Sequence, residues 1–186
     1  MRIISGFFKG KKILEPKDFK TRPLKDLTKE SIFNIIRHSK KLNVNLEESY
    51  VLDLFSGVGS FGIECLSRGA KQVVFFENYK NVLDILKKNL TNLKLFKNYE
   101  IFEKNIYQLD SFSKLSIKFD IIFLDPPYKE KNLLGVLERI KSNELLKPNG
   151  IVIIHRHKNE IDSYLNNFNI IEKKKYGISK IIFFSF

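Results

Sequence analysis

A chain of 186 residues has room for one domain with a full core and not for two large ones. Hydrophobic residues at 43% and charged residues at 29% are the balance of a soluble globular protein, and no apolar run approaches the roughly 18 residues of a membrane span. The opening lacks the apolar stretch of a signal peptide, and one cysteine, Cys65, excludes an internal disulfide framework, so a cytoplasmic protein is expected.

The net charge of +12 is unevenly placed, with twelve basic and four acidic side chains within residues 1–41. A localised basic segment is what a phosphate backbone attracts through counterion release. That segment reads as an extended pair, Arg2–Gly6 and Lys11–Leu14, turned near Phe8-Lys9-Gly10, followed by Thr21-Arg22-Pro23 and a helix over 24–38. Phe7 and Phe8 stand among cations there, which suits unpaired bases and hairpin packing equally. From Tyr50 short apolar runs alternate with helical patterns. Strands are expected at 51–55, 73–77, 100–103, 119–124 and 151–155, and helices at 60–68, 81–93, 132–142 and 160–168. The last two runs, 170–176 and 178–186, leave no room for a helix and should pair antiparallel. Lys173-Lys174-Lys175 reads as the defence of an exposed edge strand. The pattern is α/β: a mostly parallel, Rossmann-like sheet with an antiparallel C-terminal hairpin and a basic N-terminal hairpin-helix extension. Residues 1–45 are taken as that extension, which does not fold independently, and 46–186 as the main domain.

Asp53-Leu54-Phe55-Ser56-Gly57-Val58-Gly59-Ser60 joins the first core strand to its helix. Gly57 and Gly59 permit a tight turn and close approach of a ligand to the main chain. Glu77, twenty residues after Gly57, ends the next strand, where a carboxylate can accept from both hydroxyls of a ribose. With Gly62 the loop also satisfies a G-x-G-x-x-G pattern, so a nicotinamide-dependent oxidoreductase is a rival reading. Asp53 favours another nucleoside: a carboxylate there repels a pyrophosphate and suits the ammonium of S-adenosyl-L-methionine.

The strand Phe119–Leu124 runs straight into Asp125-Pro126-Pro127-Tyr128, the most specific signal in the chain. An amino group on an aromatic base is a poor nucleophile because its lone pair is delocalised into the ring. The Asp125 carboxylate and the Pro126 carbonyl can each take one N–H, aiming that lone pair at a sulfonium methyl. Pro127 stiffens the turn, and Tyr128 can stack on the base.

With these residues the sequence resembles the bacterial small-subunit (16S) ribosomal RNA guanine-N2 methyltransferases over nearly its whole length. The shared stretches are Arg2-Ile3-Ile4-Ser5-Gly6 with Lys9-Gly10, Thr21-Arg22-Pro23, Ser31–Ile36, Asp53–Gly59, Glu64–Ala70, Phe76-Glu77, Leu124–Tyr128 and Tyr176-Gly177. The resemblance implies a seven-stranded methyltransferase fold, S-adenosyl-L-methionine as donor, and methylation of one guanine of small-subunit RNA during its assembly; a monomer with no membrane contact is expected, and since the sulfonium is already a good leaving group no metal is required. It carries donor contacts onto Asp53, Phe55, Ser56, Gly57, Gly59, Glu77, Asn78, Asn105 and Ile106, and catalysis onto Asp125, Pro126, Pro127 and Tyr128. Arg2, Lys9, Lys11, Lys12, Arg22 and Lys25 are the candidates for RNA contact. Asn105 stands where the family has an Asp for the adenine amino group, Asn78-Tyr79 replaces a more acidic sequence, and His155-Arg156-His157 stands where the family tends to carry Glu. His155 and His157 themselves read as a polar strand end, and with His38 they make no metal site. Two further rivals are a DNA adenine or cytosine amino-methyltransferase, for whose sequence-reading domain the chain has no room, and a non-catalytic RNA-binding assembly factor.

Overall fold

A computed structural model describes residues 1–16, 24–95, 97–108, 110–127, 130 and 132–186. The apolar runs become seven strands of one sheet: β1 (Tyr50–Leu54), β2 (Gln72–Phe76), β3 (Tyr99–Phe102), β4 (Phe119–Leu124), β5 (Leu146–His157), β6 (Asn169–Tyr176) and β7 (Ser179–Ser185). Their order is β3-β2-β1-β4-β5-β7-β6. The first five strands run parallel, β7 lies antiparallel to β5, and β6 antiparallel to β7. The chain builds outward from β1 to β3, then crosses back to lay β4 on the other side of β1. That reversal opens a crevice beyond the carboxyl ends of β1 and β4.

Side chains alternate across the sheet, so each strand feeds two separate cores. Val51, Ile121, Phe123, Ile153 and Phe183 face one core, and Leu52, Leu54, Leu124, Ile154 and Phe184 the other. Helices α1 (Asp26–His38), α2 (Ser60–Ser67) and α3 (Lys80–Asn92) contribute to the first, and α4 (Leu133–Ser142) to the second. On α1 the buried positions Thr28, Lys29, Ile32, Phe33 and Ile36 recur at three- and four-residue spacing, the stripe of a helix lying on a core. Phe33 stacks on Phe61 of α2, and Phe61 on Phe123 of β4, with ring centroids 5.2 and 3.9 Å apart. α2 is buried all round because it lies directly on β2: a Cβ at Gly62 would meet the Phe75 ring at 2.3 Å.

The N-terminal extension is part of the first core. Arg2 and Lys12 pair antiparallel, and Ile3, Phe8 and Ile13 are buried. The fully buried Glu64 of α2 accepts the Ile4 and Ser5 amides at 2.8 and 2.9 Å and the Arg68 Nε–H at 2.8 Å. Lys29, also fully buried, lies 3.5 Å from Glu64 and donates to the Arg2 carbonyl at 2.7 Å. Burial pulls the Lys29 ammonium below its ordinary range, against the opposing pull of Glu64 and Asp26. The turn presses on the end of α2, where a Cβ at Gly6 would fall 1.8 Å from the Ser67 carbonyl oxygen. Phe8 is therefore a core residue, whereas Phe7 at the tip is 88% exposed.

Two expectations change. β5 begins at Leu146, five residues before Ile151, because Leu146 pairs with Phe119 ahead of a register shift that absorbs Lys147–Gly150. The helix expected over 160–168 is a single 3-10 turn, Ser163–Asn167. Its first residues are drawn instead to two buried cations of the sheet: Glu160 and Asp162 pair with Arg156, and Asp162 also pairs with Lys180. The lysine-rich strand β6 is the sheet edge, as its composition suggested.

Candidate active site

The registers Leu54↔Phe76, Leu54↔Leu124 and Leu124↔Ile154 bring four chain segments to one edge. Phe55, Glu77 and Asp125 are the residues that leave β1, β2 and β4 there, and His155 stands beside Asp125 within β5. Beyond β1 the chain turns sharply, with Phe55 at φ 60° and Gly57 and Gly59 at 55° and 83°. Ser56 fastens the turn: its amide donates to the Phe76 carbonyl at 3.0 Å and its hydroxyl to the Asp53 carbonyl at 2.6 Å. The glycines have different causes. A Cβ on Gly59 would lie 2.4 Å from Leu86 Cδ1, so this glycine serves the packing of α3 on α2. Among the described residues, a Cβ on Gly57 meets nothing within 4 Å, so its bare Cα faces open space.

Glu77 is held by the backbone. It accepts the Gly57 amide at 2.7 Å on Oε2, and the Asn78 and Tyr79 amides at 2.9 and 2.8 Å on Oε1. A carboxylate offers about four lone-pair sites, and three are taken. One hydroxyl therefore fits while Gly57 keeps its bond, and two fit when Gly57 releases it. Asp53, 1% exposed, accepts the Gly62 amide at 2.9 Å. Burial pushes its pKa well above the ordinary carboxylate range, and the nearby Asp125 and Glu77 add to the rise. Asp53, Glu77 and Asp125 thus act on one another, and three acids so placed favour a positively charged guest.

Asp125 is partly exposed at the edge, Pro126 is buried and Pro127 exposed. The Asp125 amide reaches the Leu54 carbonyl at 3.4 Å, which ties the turn to β1 across the switch point. The Pro127 carbonyl accepts the Glu130 amide at 2.9 Å. On the far side Asn105 is exposed, and its side-chain oxygen accepts the Tyr107 amide at 2.9 Å, while Ile106 is buried in the second core. Arg139 clasps this segment through the Ile106 and Gln108 carbonyls. Tyr107 faces Phe55 with ring centroids 6.0 Å apart. Burial, with Glu130 beside it, pushes the Tyr107 phenol well above its ordinary pKa.

Of the expected donor residues, the structure gathers Asp53, Phe55, Ser56, Gly57, Gly59, Glu77, Asn78, Asn105 and Ile106 along the carboxyl edge with Asp125, Pro126 and Pro127. Tyr128 and Arg22 lie outside the described residues. Arg2, Lys9, Lys11, Lys12 and Lys25 are all exposed. They are not equivalent, because Met1 touches Ser60 at the start of α2 whereas the turn after Gly6 touches Ser67 at its end. Arg2 and Lys12 thus stand nearer the start of α2, and Lys9 about 10 Å further along the helix axis. His155 and Tyr107 are the site residues that sequence reasoning missed. His155 was expected at a polar strand end; it is 7% exposed and contacts Asp125.

A seven-stranded sheet of this order, with a glycine turn at its switch point and acids ending β2 and β4, defines a Rossmann-like methyltransferase. Within that class, the chain belongs to the family described as "Conserved hypothetical protein 95", whose model matches residues 1–185. It is 33% identical over 183 residues to "Putative rRNA methyltransferase YlbH" of Bacillus subtilis (strain 168), covering 97% of this chain and 96% of that one. It is 32% identical over 179 residues to "Ribosomal RNA small subunit methyltransferase D" of Haemophilus influenzae, covering 96% of this chain and 90% of that one. A solved structure, "Putative methyltransferase yhhF from Escherichia coli", matches with a TM-score of 0.79 at 26% identity, over 99% of this chain and 96% of that one.

Proposed function

We propose that this chain transfers a methyl group from S-adenosyl-L-methionine to the exocyclic N2 of a guanine in small-subunit ribosomal RNA. The observation that carries the proposal is the position of Asp125-Pro126-Pro127 at the carboxyl end of β4. There it lies beside the end of β1, the strand that leads into the Gly57 turn, and Asp125 and Glu77 are both near enough to Asp53 to raise its pKa.

The residues present fit the donor. Glu77 would take the ribose, the bare Cα of Gly57 would admit the nucleoside against the main chain, and Asp53 would answer the α-ammonium. Asn105 and Ile106 would border the adenine, with a lone pair on the Asn105 side-chain oxygen available to its amino group. When bound, S-adenosyl-L-methionine supplies an electrophilic methyl on a sulfonium sulfur. The protein supplies aim and charge. Asp125 and the Pro126 carbonyl accept the two amine N–H groups, draw the lone pair out of conjugation and stabilise the positive charge that develops on nitrogen. The carboxylate of Asp125 is the nearest base for the proton that the methylated nitrogen must lose. Tyr128 holds the base plane by stacking, and the basic extension with Arg2, Lys12, Arg22 and Lys25 anchors phosphates around it. Substrate choice draws on the names of the relatives and on the concentration of positive charge in residues 1–41.

The test is methyl transfer from labelled donor to small-subunit particles, protein-free small-subunit RNA, large-subunit RNA and duplex DNA, followed by nucleoside analysis. The expected product is N2-methylguanosine in small-subunit RNA. Methyladenine or methylcytosine in DNA transfers the reading to a DNA amino-methyltransferase, and RNA binding without turnover on any substrate transfers it to an assembly factor.

A further inference from the structure

We infer that His155 is the positioning residue for the Asp125 carboxylate, a role that rests on the reading of Asp125 as the amine acceptor. The register sets the pair up: β4 and β5 run parallel with Leu124 beside Ile154, so Asp125 and His155 are neighbours one residue later. His155 is also paired through its backbone with Ile181 of β7, so it stands inside the sheet and not on a loop. Ile151 and Ile153 face the core that holds Ile121 and Phe123, and strand alternation turns both His155 and Asp125 to that same face.

The two side chains meet at 2.8 Å, His155 Nδ1 to Asp125 Oδ1. The His155 side chain is 9% exposed and that of Asp125 21%. At this distance one proton must lie between the two atoms, because a bare nitrogen lone pair would repel a carboxylate oxygen. Among the described residues, His155 Nε2 is buried without a hydrogen-bond partner. An N–H at Nε2 would be a stranded buried donor, which places the ring proton on Nδ1 and makes His155 the donor to Asp125. Such a bond occupies Oδ1 and fixes the plane of the carboxylate. It leaves Oδ2 outside that bond, as the acceptor for an amine that needs a carboxylate which does not rotate away. Strand β5 therefore supplies a donor matched to the acid that ends β4.

The experiment compares His155→Leu, His155→Asn and His155→Gln with the parent protein in methyl transfer to small-subunit RNA. It is accompanied by thermal melts, S-adenosylhomocysteine titration and nitrogen-15 spectra of the ring. An asparagine amide nitrogen overlays Nδ1 and can still donate to Asp125, whereas that of glutamine overlays Nε2 and reaches past it. The expected result is a fall in kcat of about 100-fold for His155→Leu and His155→Gln, with S-adenosylhomocysteine affinity unchanged. His155→Asn should recover to within about tenfold of the parent, the loss allowed for one imperfect hydrogen bond. The spectra should show an Nδ1-protonated ring whose hydrogen-bonded signal disappears in Asp125→Asn. Equal kcat in the asparagine and glutamine variants, or an Nε2-protonated ring in the parent, overturns the inference even if His155→Leu does not fold. A parent protein with the Nδ1 signal but without transfer to any RNA overturns the proposed function and leaves the pairing standing.

Discussion

Replacing Gly57 by alanine separates the ligand-facing glycine of the β1–α2 turn from the two that serve packing. At φ 55° an alanine carries the left-handed penalty of about 1 kcal/mol, but its methyl enters open space, since none of the described residues lies within 4 Å of that position. For a chain of this size the melting temperature should fall by roughly 2–4 °C. The same methyl would stand where the donor has to approach the main chain, so affinity for S-adenosylhomocysteine should drop at least about tenfold, or roughly 1.4 kcal/mol. Gly59→Ala meets the reverse situation. Its methyl would lie 2.4 Å from Leu86 Cδ1 at φ 83°, adding an overpacking cost of about 1–3 kcal/mol to the backbone penalty. That variant should lose stability first. Isothermal titration with S-adenosylhomocysteine, paired with thermal melts of both variants, gives the comparison. A Gly57→Ala protein that binds S-adenosylhomocysteine as tightly as the parent would refute the placement of the donor over this turn.

Two other outcomes follow from the charges around the crevice. The folded-state pKa of Asp53 lies above its ordinary 3.8, so the folded chain holds a proton that the unfolded chain has lost across the window between the two values. Stability of the ligand-free protein should therefore fall as pH rises through that window. Asp53→Asn should remove the slope, melt higher at neutral pH and bind S-adenosylhomocysteine more weakly; unchanged pH dependence of the melt would contradict this. Changing Arg2 and Lys12 together to Gln should weaken binding to small-subunit RNA and flatten the plot of log affinity against log salt by about 0.7–0.9 for each phosphate no longer neutralised. A slope equal to that of the parent would remove both residues from the interface.

Much of the fold was legible because β1, β2, β4 and β5 are buried on both faces and appear as continuous apolar runs. The turn at Gly57 and the Asp125-Pro126-Pro127 ending announce themselves locally, through residue types that constrain their own backbone. What stayed hidden depends on register and long-range pairing. Nothing within Ile151–His157 says that Ile154 aligns with Leu124, so the contact between His155 and Asp125 could not be read. The expected helix over 160–168 failed for a related reason: Arg156 and Lys180 meet across β5 and β7 and draw in Glu160 and Asp162 from the following segment. The extension was expected to be a basic arm. Its candidate RNA-contact residues Arg2, Lys9, Lys11, Lys12 and Lys25 are exposed, but Glu64 and the fully buried Lys29 stitch its backbone into the core, a role that no motif spacing encodes.

The claim on which the rest depends is that Asp125 acts on the amine and not on the donor or the fold. Single-turnover methyl transfer to small-subunit RNA by Asp125→Asn, alongside S-adenosylhomocysteine titration of the same preparation, tests it most directly. The transfer rate should fall by about 100- to 1000-fold, the range for removing one preorganised group from a developing charge, with S-adenosylhomocysteine affinity unchanged. Transfer at the rate of the parent protein, or a rate loss matched by an equal loss of S-adenosylhomocysteine binding, would contradict it.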